Sequence, residues 1–301
     1  MGLHDMQTTI ATLEILKAQL FHRIRGQTEV LTRLLQAMER RELETTPQRG
    51  ARGSFFLAGP TGVGKTETAR TIAEVLFDGA ELLRIDCSEY TTPAAVEGLR
   101  GDRVGDRGRL GQAYDRNPRG VWLWDEIEKA HPDLIKLFLQ MTSAARLTLA
   151  CGDTLDLRGI YLIVTSNLGS AEITGRENLT FTSLERHVVR CIERFLSPEL
   201  LARFGKPYVF RPLTRAVQAE IATQCLKDLL DWHRQQGRNI EFHPHVLSFL
   251  INRGFSPRLG ARDLLAFVEE SIGDAVARSL RSGGTGSGLL KVVGNRLEIV
   301  P

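Results

Sequence analysis

Gly59-Pro60-Thr61-Gly62-Val63-Gly64-Lys65-Thr66 stands between the apolar run Ser54-Phe55-Phe56-Leu57-Ala58 and a helical pattern over residues 67–77. Strand, glycine-rich turn and helix in that order, with the spacing G-x-x-x-x-G-K-T, read as a phosphate-binding loop. The glycines let successive backbone N–H groups turn inward around phosphate oxygens, and the helix adds the positive end of its dipole. Lys65 then reaches the β- and γ-phosphates, and the Thr66 hydroxyl a magnesium ion. Residues Gly59 through Thr66, with Glu67 behind them, are the candidate nucleotide contacts. A glycine-rich turn that holds no ligand is the plainer alternative, and the order of elements weighs against it.

Working outward, the acidic partners of such a loop are expected at the ends of neighbouring strands. Val121-Trp122-Leu123-Trp124 is an apolar strand ending in Asp125-Glu126. A buried strand that terminates in two carboxylates presents acids to magnesium and to the attacking water. Asp125 is the candidate metal residue, through its water shell, and Glu126 the group that orients or deprotonates the water. A capping role for the next helix is the alternative. Trp122 and Trp124 read as core. The run Ile160-Tyr161-Leu162-Ile163-Val164-Thr165 is a further strand, with Ser166-Asn167 at its end. The Asn167 amide can hold the γ-phosphate and water in line.

The remaining chain supplies the frame. Ile10, Leu13, Leu16 and Leu20 recur at helical spacing, as do Val30, Leu34 and Met38. Leu82 to Asp86 reads as a strand, residues 91–111 as loops around one short helix, and Pro132 to Ala145 as a helix. A hairpin is expected around Cys151-Gly152-Asp153, helices over residues 184–204, and a fifth strand at Pro207 to Phe210. Composition shifts at Arg211-Pro212-Leu213-Thr214, where Thr214 can cap a long helix from Arg215. Beyond it come a short strand, two helices and two short strands able to pair, Leu289 to Val293 and Arg296 to Val300.

Composition bounds the class without deciding it. The 301 residues are 42% hydrophobic, and 39 Lys plus Arg against 36 Asp plus Glu give a net charge of +3. That balance neither demands nor excludes nucleic acid. Cys87, Cys151, Cys191 and Cys225 show no metal-binding spacing and read as buried thiols of a reducing compartment. No signal peptide or membrane-length apolar run is legible, so a cytoplasmic location without membrane contact is expected.

These segments together resemble a single AAA+ ATPase module of the Clp/Hsp100 family, most like the second ATPase module of its disaggregases. The similarity runs through GPTGVGKTETARTIAEVLF, Asp86-Cys87-Ser88-Glu89-Tyr90, DEIEKAHPD from Asp125 to Asp133, and Thr165-Ser166-Asn167-Leu168-Gly169-Ser170. It implies an α/β fold: an αβα domain with a five-stranded parallel sheet over residues 1–212, then a small, mainly helical lid domain over 213–301. It implies ATP and Mg2+ as ligands, and a homo-oligomeric ring, a hexamer. Ile24 and Arg25, before Gly26-Gln27, fall on the family's adenine-pocket motif. Arg203, in Ser197-Pro198-Glu199-Leu200-Leu201-Ala202-Arg203, aligns with the arginine that completes a neighbour's site, although the family's flanking Asn and Asp are absent. Arg262, in Gly260-Ala261-Arg262, matches the sensor 2 arginine, with Arg258 as competitor for that contact.

The pattern departs from the family at residues 98–109, where unfoldases carry an aromatic pore loop. Here Arg100, Asp102, Arg103, Asp106, Arg107 and Arg109 form a charged segment, and no aromatic stands between Tyr90 and Tyr114. Such a loop is strongly hydrated and does not grip apolar side chains in the same way. Three readings stay open: a protein-remodelling motor gripping through Leu99, Val104 or charge; an assembly switch acting on nucleic acid or a dedicated protein; or a solvated tip. Without a second module, the chain is expected to act alone, by homo-oligomerisation, or on a separate partner. It holds no I-G-F or I-G-L tripeptide, so a peptidase-coupled role is not expected.

Overall fold

The apolar runs of the sequence become strands buried on both faces, which is what parallel pairing with helices on either side requires. The computed structural model describes residues 3–45, 50–77, 82–101, 105–170, 180–256 and 260–300. In chain order the first part holds α1 (Leu3–Arg23), α2 (Thr28–Glu42), β1 (Gly53–Ala58), α3 (Lys65–Leu76), β2 (Leu82–Asp86), α4 (Pro93–Arg100) and α5 (Gly108–Arg116). It continues with β3 (Gly120–Asp125), α6 (Pro132–Ala144), the hairpin β4 (Arg146–Thr148) and β5 (Thr154–Asp156), β6 (Ile160–Ser166), α7 (Phe181–Phe195), α8 (Pro198–Phe204) and β7 (Tyr208–Val209). Every residue of β3 and β6 is buried.

Five strands form one sheet in the order β2-β3-β6-β1-β7, all parallel. The register pairs Asp86 with Asp125, Trp124 with Val164, and Ala58 with Ser166. The C-terminal ends of four strands therefore come into one row, the edge at which open parallel sheets bind ligands. Beneath it, Trp124 and Phe138 meet edge to face with centroids 4.9 Å apart, and Phe138 continues to Phe204 and Phe56. Each such buried ring contributes about 1.5–3 kcal/mol through removal of apolar surface from water.

Contacts divide the chain into two units, Met1–Gly59 with Gly64–Arg211, and Pro60–Val63 with Pro212–Pro301. The second unit contains α9 (Arg215–Gln235), β8 (Ile240–Phe242), α10 (His245–Gly254), α11 (Ala261–Arg281), β9 (Gly288–Val293) and β10 (Arg296–Val300). Thr214 caps α9, accepting from the Val217 N–H at 3.4 Å. Leu226, Val246, Leu250, Leu264, Val268, Ile272 and Leu290 fill its core.

Three expectations need correction. Residues 91–111 hold α4 and the start of α5, two helices where one was expected. Ile10 is 45% exposed, because burial on α1 begins only at Leu13. The last two strands pair as expected, antiparallel, and β8 joins β9 in parallel to make a three-stranded sheet. Only Cys87 is a fully buried thiol; Cys151, Cys191 and Cys225 are half-buried.

Candidate functional site

The loop after β1 is shaped by two positions that tolerate no side chain. Gly59 has φ 138°, and a Cβ there would lie 2.6 Å from the Phe210 carbonyl oxygen; at Gly64, φ 106°, it would lie 2.8 Å from Ile24 Cγ2. Only glycine fits both the conformation and the space. Gly64 is also the N-cap of α3 and carries no side chain to accept from the N–H groups of the helix's first turn. Those N–H groups face where an anion would sit.

Lys65 is 6% exposed. Its ammonium donates to the Gly59 carbonyl oxygen at 2.6 Å and to Asn167 Oδ1 at 2.9 Å. Asn167 donates through Nδ2 to Glu126 Oε1 at 3.1 Å, and its backbone N–H donates to Glu128 Oε1 at 2.9 Å. One amide thus ties the loop lysine to the candidate water-orienting carboxylate. The Thr66 hydroxyl lies 3.4 Å from both Asp125 oxygens. Lys65, Thr66, Asp125, Glu126 and Asn167, drawn from three separate stretches of chain, therefore converge at the row of strand ends.

Asp125 is 6% exposed and engaged from two sides. Arg84, on β2, donates to Oδ2 through Nε at 3.2 Å and Nη2 at 2.7 Å. The Thr165 hydroxyl donates to Oδ1. Glu126 is ion-paired with Lys129 through a hydrogen bond that raises the lysine pKa above its ordinary value. Nearby, hydrogen bonds from Ser88 hold the Asp86 carboxyl below the usual carboxylate range. Burial first, then the surrounding carboxylates, push the Cys87 thiol far up, which leaves it unreactive.

The other expected residues are distributed differently. Ile24 is buried against Gly64, and Arg25 beside it is half-buried. Gln27, in the same segment, is 2% exposed and clasps the Arg211 backbone, donating to its carbonyl at 3.0 Å and accepting from its N–H at 2.9 Å. Glu67 turns toward Arg23 and Arg70, 3.6 Å and 3.4 Å away. Pro60, Thr61, Gly62 and Val63 group with the second unit. Arg203 is exposed in the last turn of α8 and has no hydrogen-bond or ion-pair partner among the described residues. Arg262 is exposed in the first turn of α11, in the second unit. Arg258, Arg103 and Val104 lie outside the described residues.

Sequence reading overlooked Arg84, Glu128, Lys129 and the individual role of Thr165. Glu128, Lys129 and Thr165 stand inside motifs already singled out, DEIEK and TSN, and Arg84 in the strand that ends at Asp86. The contacts of Arg84, Glu128 and Thr165 depend on which strand lies next to which, an order not written in any one segment, whereas Lys129 pairs locally with Glu126, three residues before it.

The donor set suits a hard cation. A hydroxyl and a carboxylate at 3.4 Å beside a phosphate loop offer the oxygen ligands that Mg2+ takes when phosphates supply the rest. Among the described residues, no group of three or more His, Cys, Asp or Glu is placed to hold a metal by itself. No helix of the described residues is long and apolar enough to cross a membrane.

Comparison with known proteins agrees with this geometry. The family model "AAA domain (Cdc48 subfamily)" matches residues 50–206, and the "C-terminal, D2-small domain, of ClpB protein" matches residues 213–289. A probable chaperone protein ClpB 1 of Chlorobaculum tepidum is 34% identical over 285 residues, 90% of this chain and 65% of the relative. The chaperone protein ClpB of Meiothermus ruber is 34% identical over 288 residues, 93% of this chain and 34% of the relative. A closed-state cryo-electron microscopy structure of Hsp104 with ATPγS and FITC casein superposes with a TM-score of 0.85 at 28% identity, covering 98% of this chain and 52% of that one. The chain thus spans between one third and two thirds of the length of these curated relatives. With sheet order, phosphate loop and second unit in agreement, the chain belongs to the AAA+ ATPases of the Clp/Hsp100 family and is built like the second ATPase module of ClpB.

Proposed function

We propose that this module binds ATP with Mg2+ and hydrolyses it, coupling turnover to the remodelling of a protein substrate or complex in the cytoplasm. The observation that carries the reading is the linkage from buried Lys65 through half-buried Asn167 to Glu126, beside Asp125 and Thr66. Lys65 and the loop N–H groups hold the phosphates. Asn167 bridges the site of the γ-phosphate to Glu126. Thr66 and Asp125 would hold Mg2+, which when bound neutralises charge on the phosphate oxygens. Glu126 orients the attacking water once released from Lys129, and accepts its proton. Gln27 and Ile24 brace the segment proposed to line the adenine pocket.

The module acts in a homo-oligomeric ring, a hexamer, in which Arg203 of one copy neutralises the γ-phosphate held by the next. Its exposure, and its having no partner among the described residues, support that role. Arg262 reports nucleotide state to the second unit. Coupling to a peptidase is not part of the proposal. Protein remodelling is favoured over nucleic-acid loading because two arginines of the charged segment are already committed within the chain. Arg107 pairs with Asp115 and Asp153, and Arg109 donates to Tyr90 Oη at 2.8 Å and to the Arg84 carbonyl at 2.7 Å.

Subunit mixing tests the shared site. Arg203→Ala and Glu126→Gln subunits, each inactive alone, are expected to recover ATPase activity when combined, since mixed interfaces hold one intact site. No recovery at any ratio would place Arg203 outside a neighbour's site. Stimulation of turnover by an unfolded protein, and none by single-stranded DNA, is the expected substrate preference.

A further inference from the structure

Glu126 sits in an unusual backbone conformation for its residue type. Its φ of 58° and ψ of 53° lie in the left-handed region, and only Glu44 and Ala145 among the other described non-glycine residues share a positive φ. That conformation costs about 1–2 kcal/mol for a residue with a Cβ, so something must hold it. The holder is on the adjacent strand. The Glu126 N–H donates to Thr165 Oγ1 at 3.1 Å, and the Thr165 hydroxyl donates in turn to Asp125 Oδ1.

The direction of both bonds is forced. A backbone N–H can only donate, so the single hydroxyl proton of Thr165 points to the Asp125 carboxylate. Thr165 is 1% exposed, which leaves no room for solvent to replace either contact. Its branched Cβ stiffens χ1, and the parallel register that pairs Trp124 with Val164 sets its height along the sheet. One hydroxyl is therefore fastened to both members of the acidic pair, to the side chain of the first and the backbone of the second.

We infer that Thr165 is a positioning residue that sets the angle between Asp125 and Glu126, holding the Glu126 backbone in the left-handed conformation from which its carboxylate reaches Asn167. The inference rests on the proposed role of Glu126 in hydrolysis. Without the hydroxyl, the Glu126 N–H is left buried and unpaired, the backbone relaxes toward an ordinary conformation, and the carboxylate moves off line. Misplacement of a reacting group by about 1 Å costs up to about a hundredfold in rate.

The test compares full-length wild type, Thr165→Val, Thr165→Ser and Glu126→Gln. It measures kcat for ATP, affinity for a fluorescent ATP analogue in EDTA, and Tm. Thr165→Val is expected to lower kcat by about 10- to 100-fold while analogue affinity stays within about twofold. Thr165→Ser, which keeps the hydroxyl, should recover kcat to within about threefold. Should the valine variant not fold, Thr165→Ala carries the same two expectations. Wild-type kcat without the hydroxyl, or a serine variant as impaired as valine, overturns the inference. If Glu126→Gln is inactive while Thr165→Val is normal, the inference alone falls; if Glu126→Gln turns over normally, the hydrolytic reading falls with it.

Discussion

Two regions of the first unit carry dense charge, and they handle it in opposite ways. At the ends of β1, β3 and β6, Lys65, Asp125 and Thr165 are nearly inaccessible, and hydrogen bonds fasten Lys65 to Asn167 and Thr165 to Asp125 and Glu126. In the segment from Arg100 to Arg109, the described arginines lie nearer the surface, where Arg107 and Arg109 pair with carboxylates, a phenol and a carbonyl of their own unit. Buried polar groups must be satisfied by fixed partners, so the first region tolerates little change. Exposed pairs contribute about 0–1 kcal/mol each and leave their surroundings free to vary. The difference teaches that the chemistry of this module is set by sheet register, whereas what the chemistry drives is set by a surface with few internal constraints.

Several substitutions would break or sharpen that contrast. The largest effect is expected from Arg203→Ala, which should lower turnover by about a thousandfold through loss of charge neutralisation in a neighbour's site, with nucleotide binding retained. Steady-state kinetics and a fluorescent nucleotide titration separate the two quantities. Next comes Lys65→Ala. Removing a buried cation that meets phosphate should weaken ATP by about 30-fold or more, equivalent to about 2 kcal/mol, as measured by calorimetry. An unaltered affinity would detach the buried cluster from nucleotide binding.

A third, smaller effect concerns stability and its dependence on pH. Burial pushes the Glu42 carboxyl up, but the paired Arg52 guanidinium and the Tyr161 hydroxyl outweigh it and hold the pKa below its ordinary value of 4.5. A carboxyl lowered on folding stabilises the fold above its unfolded pKa, and that contribution is lost as pH falls through the folded value. Thermal melts taken from pH 6 downward should therefore show Tm falling below about pH 4.5. In Glu42→Gln the starting stability should drop by about 1–3 kcal/mol and the acid-dependent loss should flatten. The smallest effect is expected from Arg107→Ala with Arg109→Ala. Stability should change little, because solvent screens these surface pairs, and nucleotide affinity not at all. A salt-sensitive affinity for DNA that disappears in this double variant would contradict the assignment of these arginines to internal pairing and revive the nucleic-acid alternative.

The same contrast explains what could be read from the chain before its fold was known. The phosphate loop, the Asp125-Glu126 strand end and Asn167 were legible because each depends on a local pattern, an apolar run followed by a particular turn. The core role of Trp122 and Trp124 was legible too, since a continuous apolar run has no solvent-facing side. Arg84, Glu128 and Thr165 were not, because their contacts arise between β2, β3 and β6, which are separated by long stretches of chain. Gln27 was visible as part of a motif, but its clasp on Arg211 spans 184 residues of sequence. Ile10 kept the helical spacing of its stripe yet stayed exposed, since periodicity names a face without saying how far along the helix that face is covered. The charged segment gave the weakest signal: mixed charge reads the same whether it meets a partner, its own chain or water.

The measurement closest to the central claim is the behaviour of Glu126→Gln. It preserves shape and removes only the carboxylate that Asn167 and Lys129 hold. The variant is expected to bind ATP in the presence of Mg2+ about as tightly as wild type and to hydrolyse it at least about a hundredfold more slowly. Wild-type turnover in Glu126→Gln would contradict the account, because the linkage from Lys65 through Asn167 to Glu126 would then have no part in the chemistry.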